Sequence, residues 1–183
     1  MAKTTIDVKE ITTLVGRKFV AERWHEVTQA QVHGFADATG DHQWIHVDPE
    51  RAARELPTGS TIAHGYLLVS LMPRLLDTFV EFQGVKRVIN YGLNEVRFKN
   101  MVAAGKRVRM RSRLISARQR AGGMQVILDN TFEIEGEAKP ACTAETIVLY
   151  TSMFRDGAGS SHDPLDVLVR LAPVSGAPVY SPF

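Results

Sequence analysis

An α+β fold, a curled antiparallel sheet around one long buried helix, is predicted by three observations. Residues 64–82 form a run that is apolar on nearly all sides, as in a helix buried in mid-domain. After Gly84 the hydrophobic period changes from 3.6 to 2, and four strand-like segments follow. Short turns rich in glycine separate those segments, which favours hairpins over parallel crossovers.

The elements can be justified in order. Asp7 to Val15 reads as a short helix closed by Gly16. Trp24 to Val27 reads as a short strand. Thr28 is an N-cap with Gln31 three residues on, a capping box, and Val27 and Val32 occupy the two staple positions. This helix runs to about Ala38, and Gly40 ends it and delivers Asp41 into a loop. Asp48-Pro49 pairs a cap with proline at the first helical position, so a second helix covers Glu50 to about Leu56. Pro57-Thr58-Gly59-Ser60 is a turn. The buried helix then spans His64 to about Phe82, with a bend expected at Pro73.

Val85 to Phe98 is strand-like. Lys106 to Arg118 alternates, with Val108, Met110 and Leu114 on one face and Arg107, Arg109, Arg111 and Arg113 on the other. Ala121-Gly122-Gly123 makes a hairpin turn. Met124, Val126, Leu128, Phe132 and Ile134 line one face of the next strand, against Gln125, Asp129, Thr131 and Glu133. Glu135-Gly136-Glu137 turns again, and Ala141 to Thr151 is the last strand. The expected domain is 1–152. Residues 153–183, rich in Gly, Ser and Pro, read as a weakly ordered tail.

Composition narrows the function classes. The chain has 183 residues, 44% hydrophobic and 23% charged, enough for one globular domain with a core. A net charge of +2 argues neither for nor against nucleic acid. The arginine row has a two-residue period and no interleaved aromatic residue, so one solvated strand face explains it and nucleic acid is not expected as a partner. Some of these arginines could meet the phosphates of an anionic ligand. Cys142 is the single cysteine, which rules out an intrachain disulfide and fits a reducing compartment. Inside a strand it reads as a small buried residue rather than a nucleophile. Residues 1–10 lack a signal-peptide core, and the apolar stretch Tyr66 to Leu76 is too short to span a bilayer. A cytoplasmic protein with no membrane partner is expected.

Chemistry concentrates in two short stretches. Asp41 and His46 lie five residues apart after Thr39-Gly40 and form a possible acid–base pair. Ala63-His64-Gly65 opens the buried helix, where free amides and the helix dipole favour an oxyanion. His42, His46 and His64 invite comparison with a metal site. The first two are four apart, but zinc ligands at that spacing want a helix and this segment reads as loop, so no metal is expected.

Gly40-Asp41, His46 and Ala63-His64-Gly65 together resemble the MaoC-like dehydratase family, which includes the (R)-specific enoyl-CoA hydratases. The chain is most similar to its nodulation-protein-N-like, single-domain branch, over roughly Val20 to Thr151. The resemblance implies the hotdog fold and an acyl-thioester substrate carried on coenzyme A or acyl carrier protein, with no separate cofactor. It implies Asp41 and His46 as the catalytic dyad. Gly65, Ser70, Gln43, His64 and Asn94 are candidate substrate-binding or oxyanion residues. A homodimer is also implied. Gln43-Trp44 stands where most members have Asn-Pro; the amide survives, and Trp44 could narrow the acyl pocket. A hotdog thioesterase and a non-catalytic acyl-thioester-binding protein are the alternative readings.

Overall fold

A computed structural model describes residues 3–120 and 123–152. The tail expected at 153–183, and the turn residues Ala121 and Gly122, lie outside the described residues. The chain runs β1 (Thr4–Asp7), a 3-10 turn (Ile11–Leu14), β2 (Lys18–Val20), β3 (His25–Glu26), α1 (Gln29–Thr39), α2 (Trp44–Val47), α3 (Pro49–Glu55) and α4 (Gly65–Leu76). Five strands complete it: β4 (Val80–Gln83), β5 (Val85–Phe98), β6 (Arg107–Arg120), β7 (Gly123–Ile134) and β8 (Cys142–Ser152).

The large sheet has the order β2-β6-β7-β8-β5, all antiparallel, with β3 also on β6. Its concave face holds α4. Leu67, Leu68, Met72, Leu75 and Leu76 of that helix are buried in one core with Val108, Met110, Leu114, Val126, Leu128, Phe132 and Ile134 of the sheet. Burial of these side chains, each contributing about 1.5–3 kcal/mol, dominates the stabilisation. Alternation along β6 and β7 therefore places its apolar residues as the two-residue period requires. The outward arginines meet a matching acidic row on β7 and just beyond it. Arg107 bonds Glu135 at 2.6 Å, Arg109 and Arg111 share Glu133, and Arg113 meets Asp129. Such exposed pairs add about 0–1 kcal/mol each, and they leave the basic row neutralised in place.

One inward position on β7 is polar. Asn130 is 2% exposed, accepts from Ser112 Oγ at 2.7 Å and donates to Thr146 Oγ1 at 2.9 Å. Buried amides persist in cores when their hydrogen bonds are met, as here.

Three expectations need correction. Asp7 to Val15 is not a helix. Thr4 to Asp7 is a strand pairing in parallel with β4, and only a 3-10 turn follows. Gly16, at φ +93°, donates its amide to Leu114 O at 2.7 Å, so it docks the segment on β6 instead of closing a helix. The buried helix also stops at Leu76, not Phe82. Pro73 removes one hydrogen bond from its last turn, and Thr78 Oγ1 caps it by donating to Leu75 O at 2.6 Å. Residues 80–83 then leave to pair with β1, a contact some 75 positions away that no local period encodes. Finally, the loop expected after Asp41 contains a helical turn, α2, too short to show a period.

β5 is the edge of the large sheet. Val88 and Leu93 on it are 60% and 46% exposed, and Phe98 at its end is 50% exposed. No helix of the described residues is long and apolar enough to cross a membrane.

Candidate active site

The site forms where α1, α2 and the start of α4 converge. Thr28 caps α1 through the capping box, with Gln31 N to Thr28 Oγ1 at 3.2 Å. At the other end Gly40 takes φ +78°, and its amide bonds Ala36 O at 2.8 Å. That left-handed residue turns the chain sharply and sets Asp41 at the head of the loop.

His46 sits on α2 and is 7% exposed. Its Nδ1 lies 2.7 Å from Ile62 O. A carbonyl can only accept, so Nδ1 carries the proton and Nε2 is left as the basic nitrogen of a neutral ring. Burial holds the ring below its usual imidazole range, and the neighbouring His64 adds to that; the Ile62 carbonyl and Asp41 oppose it. A neutral, buried imidazole with one free lone pair suits a general base.

His64 is the N-cap residue of α4 and is 3% exposed. Its ring stacks on that of His46, centroids 3.7 Å apart and planes 23° from parallel. Its Nε2 donates to the main-chain carbonyl of Asp41 at 3.0 Å and lies 3.9 Å from the Asp41 carboxylate. One potential ligand atom from each of Asp41, His46 and His64 lies within 4.8 Å of the others. Stacked rings send their in-plane lone pairs side by side, not toward one point, so the trio is poorly shaped for an ion. His42 is elsewhere. It bonds Asp37 at 2.9 Å on the exposed surface, and that bond raises its pKa.

Gly65 opens α4, where its amide and that of Tyr66 precede every carbonyl of the helix and have no intrahelical partner. A Cβ at Gly65 would lie 2.8 Å from the ring of Phe98. The close approach that glycine permits here is therefore to an aromatic side chain of β5. Gln43 is exposed, and its carbonyl accepts from His46 N at 2.9 Å, which starts the turn that carries His46. Ser70 is exposed and back-bonded to Tyr66 O at 2.8 Å. Asn94 donates to Glu145 at 3.1 Å on the sheet surface. The structure thus gathers Asp41, His46, His64 and Gly65, while Ser70 bonds within α4 and Asn94 bonds across to β8. Trp44 packs under Arg51 of α3, with the guanidinium 4.1 Å from the ring centre. Its indole is turned to that helix.

Residues 10–133 match the family described as MaoC like domain. The chain belongs to the MaoC-like dehydratase family. It is 48% identical over 151 residues to the 3-hydroxyacyl-thioester dehydratase Z of Mycobacterium tuberculosis, covering 82% of this chain and 99% of the relative. It is 41% identical to Nodulation protein N of Rhizobium meliloti, covering 79% and 91%. Among solved structures it is similar to an (R)-hydratase from A. caviae involved in PHA biosynthesis, with TM-score 0.59 and 29% identity over 74% of this chain and 95% of that one. The C-terminally truncated HadBC 3R-hydroxyacyl-ACP dehydratase complex of Mycobacterium tuberculosis shares the fold at TM-score 0.60 and 22% identity, covering 74% and 96%. The hotdog architecture, and membership among the acyl-thioester hydratases and dehydratases of fatty acid metabolism, follow from these likenesses.

Two supports of the MaoC-like site escaped sequence reasoning. Gln29, in the first turn of α1, donates from Nε2 to His46 O at 2.8 Å and accepts on Oε1 from Thr61 Oγ1. Thr61 is fully buried, and the amide of its neighbour Ile62 bonds Ile45 O at 2.9 Å. Residues 61–64 therefore act as an extended rail that holds α2 and His46. The capping box predicted a helix start at Gln29, but nothing local marked that side chain as a contact seventeen residues away.

Proposed function

We propose that the protein catalyses the reversible addition of water to trans-2-enoyl thioesters, giving (R)-3-hydroxyacyl thioesters, with Asp41 and His46 as the acid–base dyad. The carrying observation is the state of His46. Its Nδ1 proton is committed to Ile62 O and its ring is buried, so Nε2 is the free nitrogen of a neutral base, and a ring nitrogen of His46 lies within 4.8 Å of an Asp41 carboxylate oxygen. In the hydration direction Nε2 takes a proton from water as the water oxygen bonds to C3. The C2–C3 π pair moves toward the thioester oxygen, where amides at the N-terminus of α4 can receive the charge. The proton returns from His46 to C2 as that pair flows back, and Asp41 orients the water and balances the imidazolium. One water is consumed and neither a metal nor a further cofactor enters.

The acyl tail has a candidate place. A cleft of about 330 Å³ is lined by apolar residues that include Met72, Leu76, Val80, Val88 and Val148, together with the polar Asp77, Glu81, Asn90 and Asn130. It begins eight positions beyond His64 on α4, about 12 Å along the helix. With Trp44 held under Arg51, this cleft and not the indole would set chain length.

The exposed apolar edge at β5 supports a homodimer formed by a second copy of the chain. Natural sheets cover or pair such edges, and a two-fold pair is the simplest closed arrangement. A cytoplasmic location accords with the single buried thiol of Cys142, raised to about 12 by burial.

Crotonyl-CoA and a C8 enoyl-CoA test the reading. Loss of the enoyl thioester ultraviolet absorbance, with the 3-hydroxyacyl product identified by chiral chromatography, is expected. Release of free thiol in its place would indicate a thioesterase, and no turnover of either kind a binding protein.

A further inference from the structure

We propose that His64 is a positioning residue, a single buried side chain that carries both arms of the dyad and touches no substrate atom. The inference rests on the hydratase reading above. Asp41 and His46 belong to different elements, the loop after α1 and the turn α2, and each reaches His64 by a separate contact. The His46 ring lies flat against the His64 ring at 3.7 Å. The Asp41 main chain accepts from His64 Nε2 at 3.0 Å. His64 is itself held rigidly. Its carbonyl accepts from Leu67 and Leu68, the preceding Ala63 amide bonds Val102 O at 2.8 Å, and Phe35 of α1 abuts the ring at 5.0 Å.

The choice of side chain supports this role. Holding a carbonyl needs only a donor, which glutamine supplies. Carrying an aromatic neighbour needs only a ring, which phenylalanine supplies. An imidazole does both, but leaves Nδ1 buried with no hydrogen-bond partner among the described residues. Buried polar atoms are normally satisfied, so packing alone gives no reason for histidine here. The dual contact does.

Two variants separate the functions. His64→Phe keeps the stack and loses the bond to Asp41 O; His64→Gln keeps a donor near the Nε2 position and loses the stack. Each is expected to fold and to lower kcat for crotonyl-CoA by about 10–10²-fold, since small misplacements of catalytic groups cost that much, with KM little changed. The His46 ring signals in NMR titration should shift in both. Wild-type kcat in both folded variants would overturn the proposal. So would a loss confined to KM, which would make His64 a substrate contact. Should either variant fail to fold, Phe35→Leu removes the ring that abuts His64 and must shift the His46 signals and lower kcat; unchanged values overturn the proposal. If the wild-type protein hydrates no enoyl thioester, the hydratase reading fails by itself. The His46 titration then decides positioning alone: displaced signals in the variants uphold it, unmoved signals refute it.

Discussion

Replacing Gln29 by alanine tests whether His46, the proposed base, depends on a support far from it in sequence. In the folded protein Gln29 accepts from Thr61 Oγ1 and donates to His46 O at 2.8 Å. Thr61 is 0% exposed, so water cannot replace the lost acceptor. An orphaned buried hydroxyl costs about 1–3 kcal/mol, and the lost bond to His46 O about 1 kcal/mol more. Gln29→Ala is therefore expected to destabilise by about 2–4 kcal/mol, measured by urea unfolding followed by circular dichroism. Adding Thr61→Val removes the orphan, so the double variant should recover part of the loss, with a coupling of about 0.5–3 kcal/mol. Because the His46 carbonyl is released, kcat should fall about tenfold even in the double variant. A single-variant loss below about 0.5 kcal/mol, or a strictly additive cycle, would refute this account of how α2 is held.

Asp41→Asn and His46→Ala should each lower kcat for crotonyl-CoA by about 10²–10⁴-fold while circular dichroism stays native; near-wild-type turnover in either sinks the dyad. The His46 pKa is depressed in the folded state below the ordinary 6.5. Its stabilising contribution is thus complete above about 6.5 and is lost as pH falls toward the folded value, because the unfolded chain binds the proton more readily. The acid limb of kcat/KM should accordingly bend below 6.5, and a bend above it would contradict a buried neutral base. Trp44→Ala should leave the preference between C4 and C8 enoyl-CoA unchanged, because Arg51 covers the indole; a marked gain on the longer substrate would place the block there after all. Leu93→Lys, at an exposed apolar site on the β5 edge, should turn a dimeric mass in light scattering into a monomeric one, and a monomeric wild type would defeat the homodimer proposal.

How much of this was legible in the chain depends on the range of the forces involved. The capping box at Thr28, the Gly40 stop, the Asp48-Pro49 start and the alternation along β6 and β7 are local patterns, set by backbone sterics and by periods of 3.6 and 2, and the folded chain keeps all of them. The five-residue spacing of Asp41 and His46, with Ala63-His64-Gly65, named the family. What no window could show were pairings between distant segments. β1 captures residues 80–83 and shortens the central helix. The row of arginines meets its carboxylates only once β6 lies beside β7. Gln29, Thr61 and Ile62 converge on His46 from positions up to seventeen residues away, and His64 turns its ring onto His46 and its Nε2 onto Asp41. Sequence alone supplied the candidate reactive groups, because their chemistry resides in the side chains themselves. Only the tertiary structure decided which nitrogen of His46 is free and what holds it, because hydrogen bonds and desolvation depend on neighbours that the chain brings together by folding.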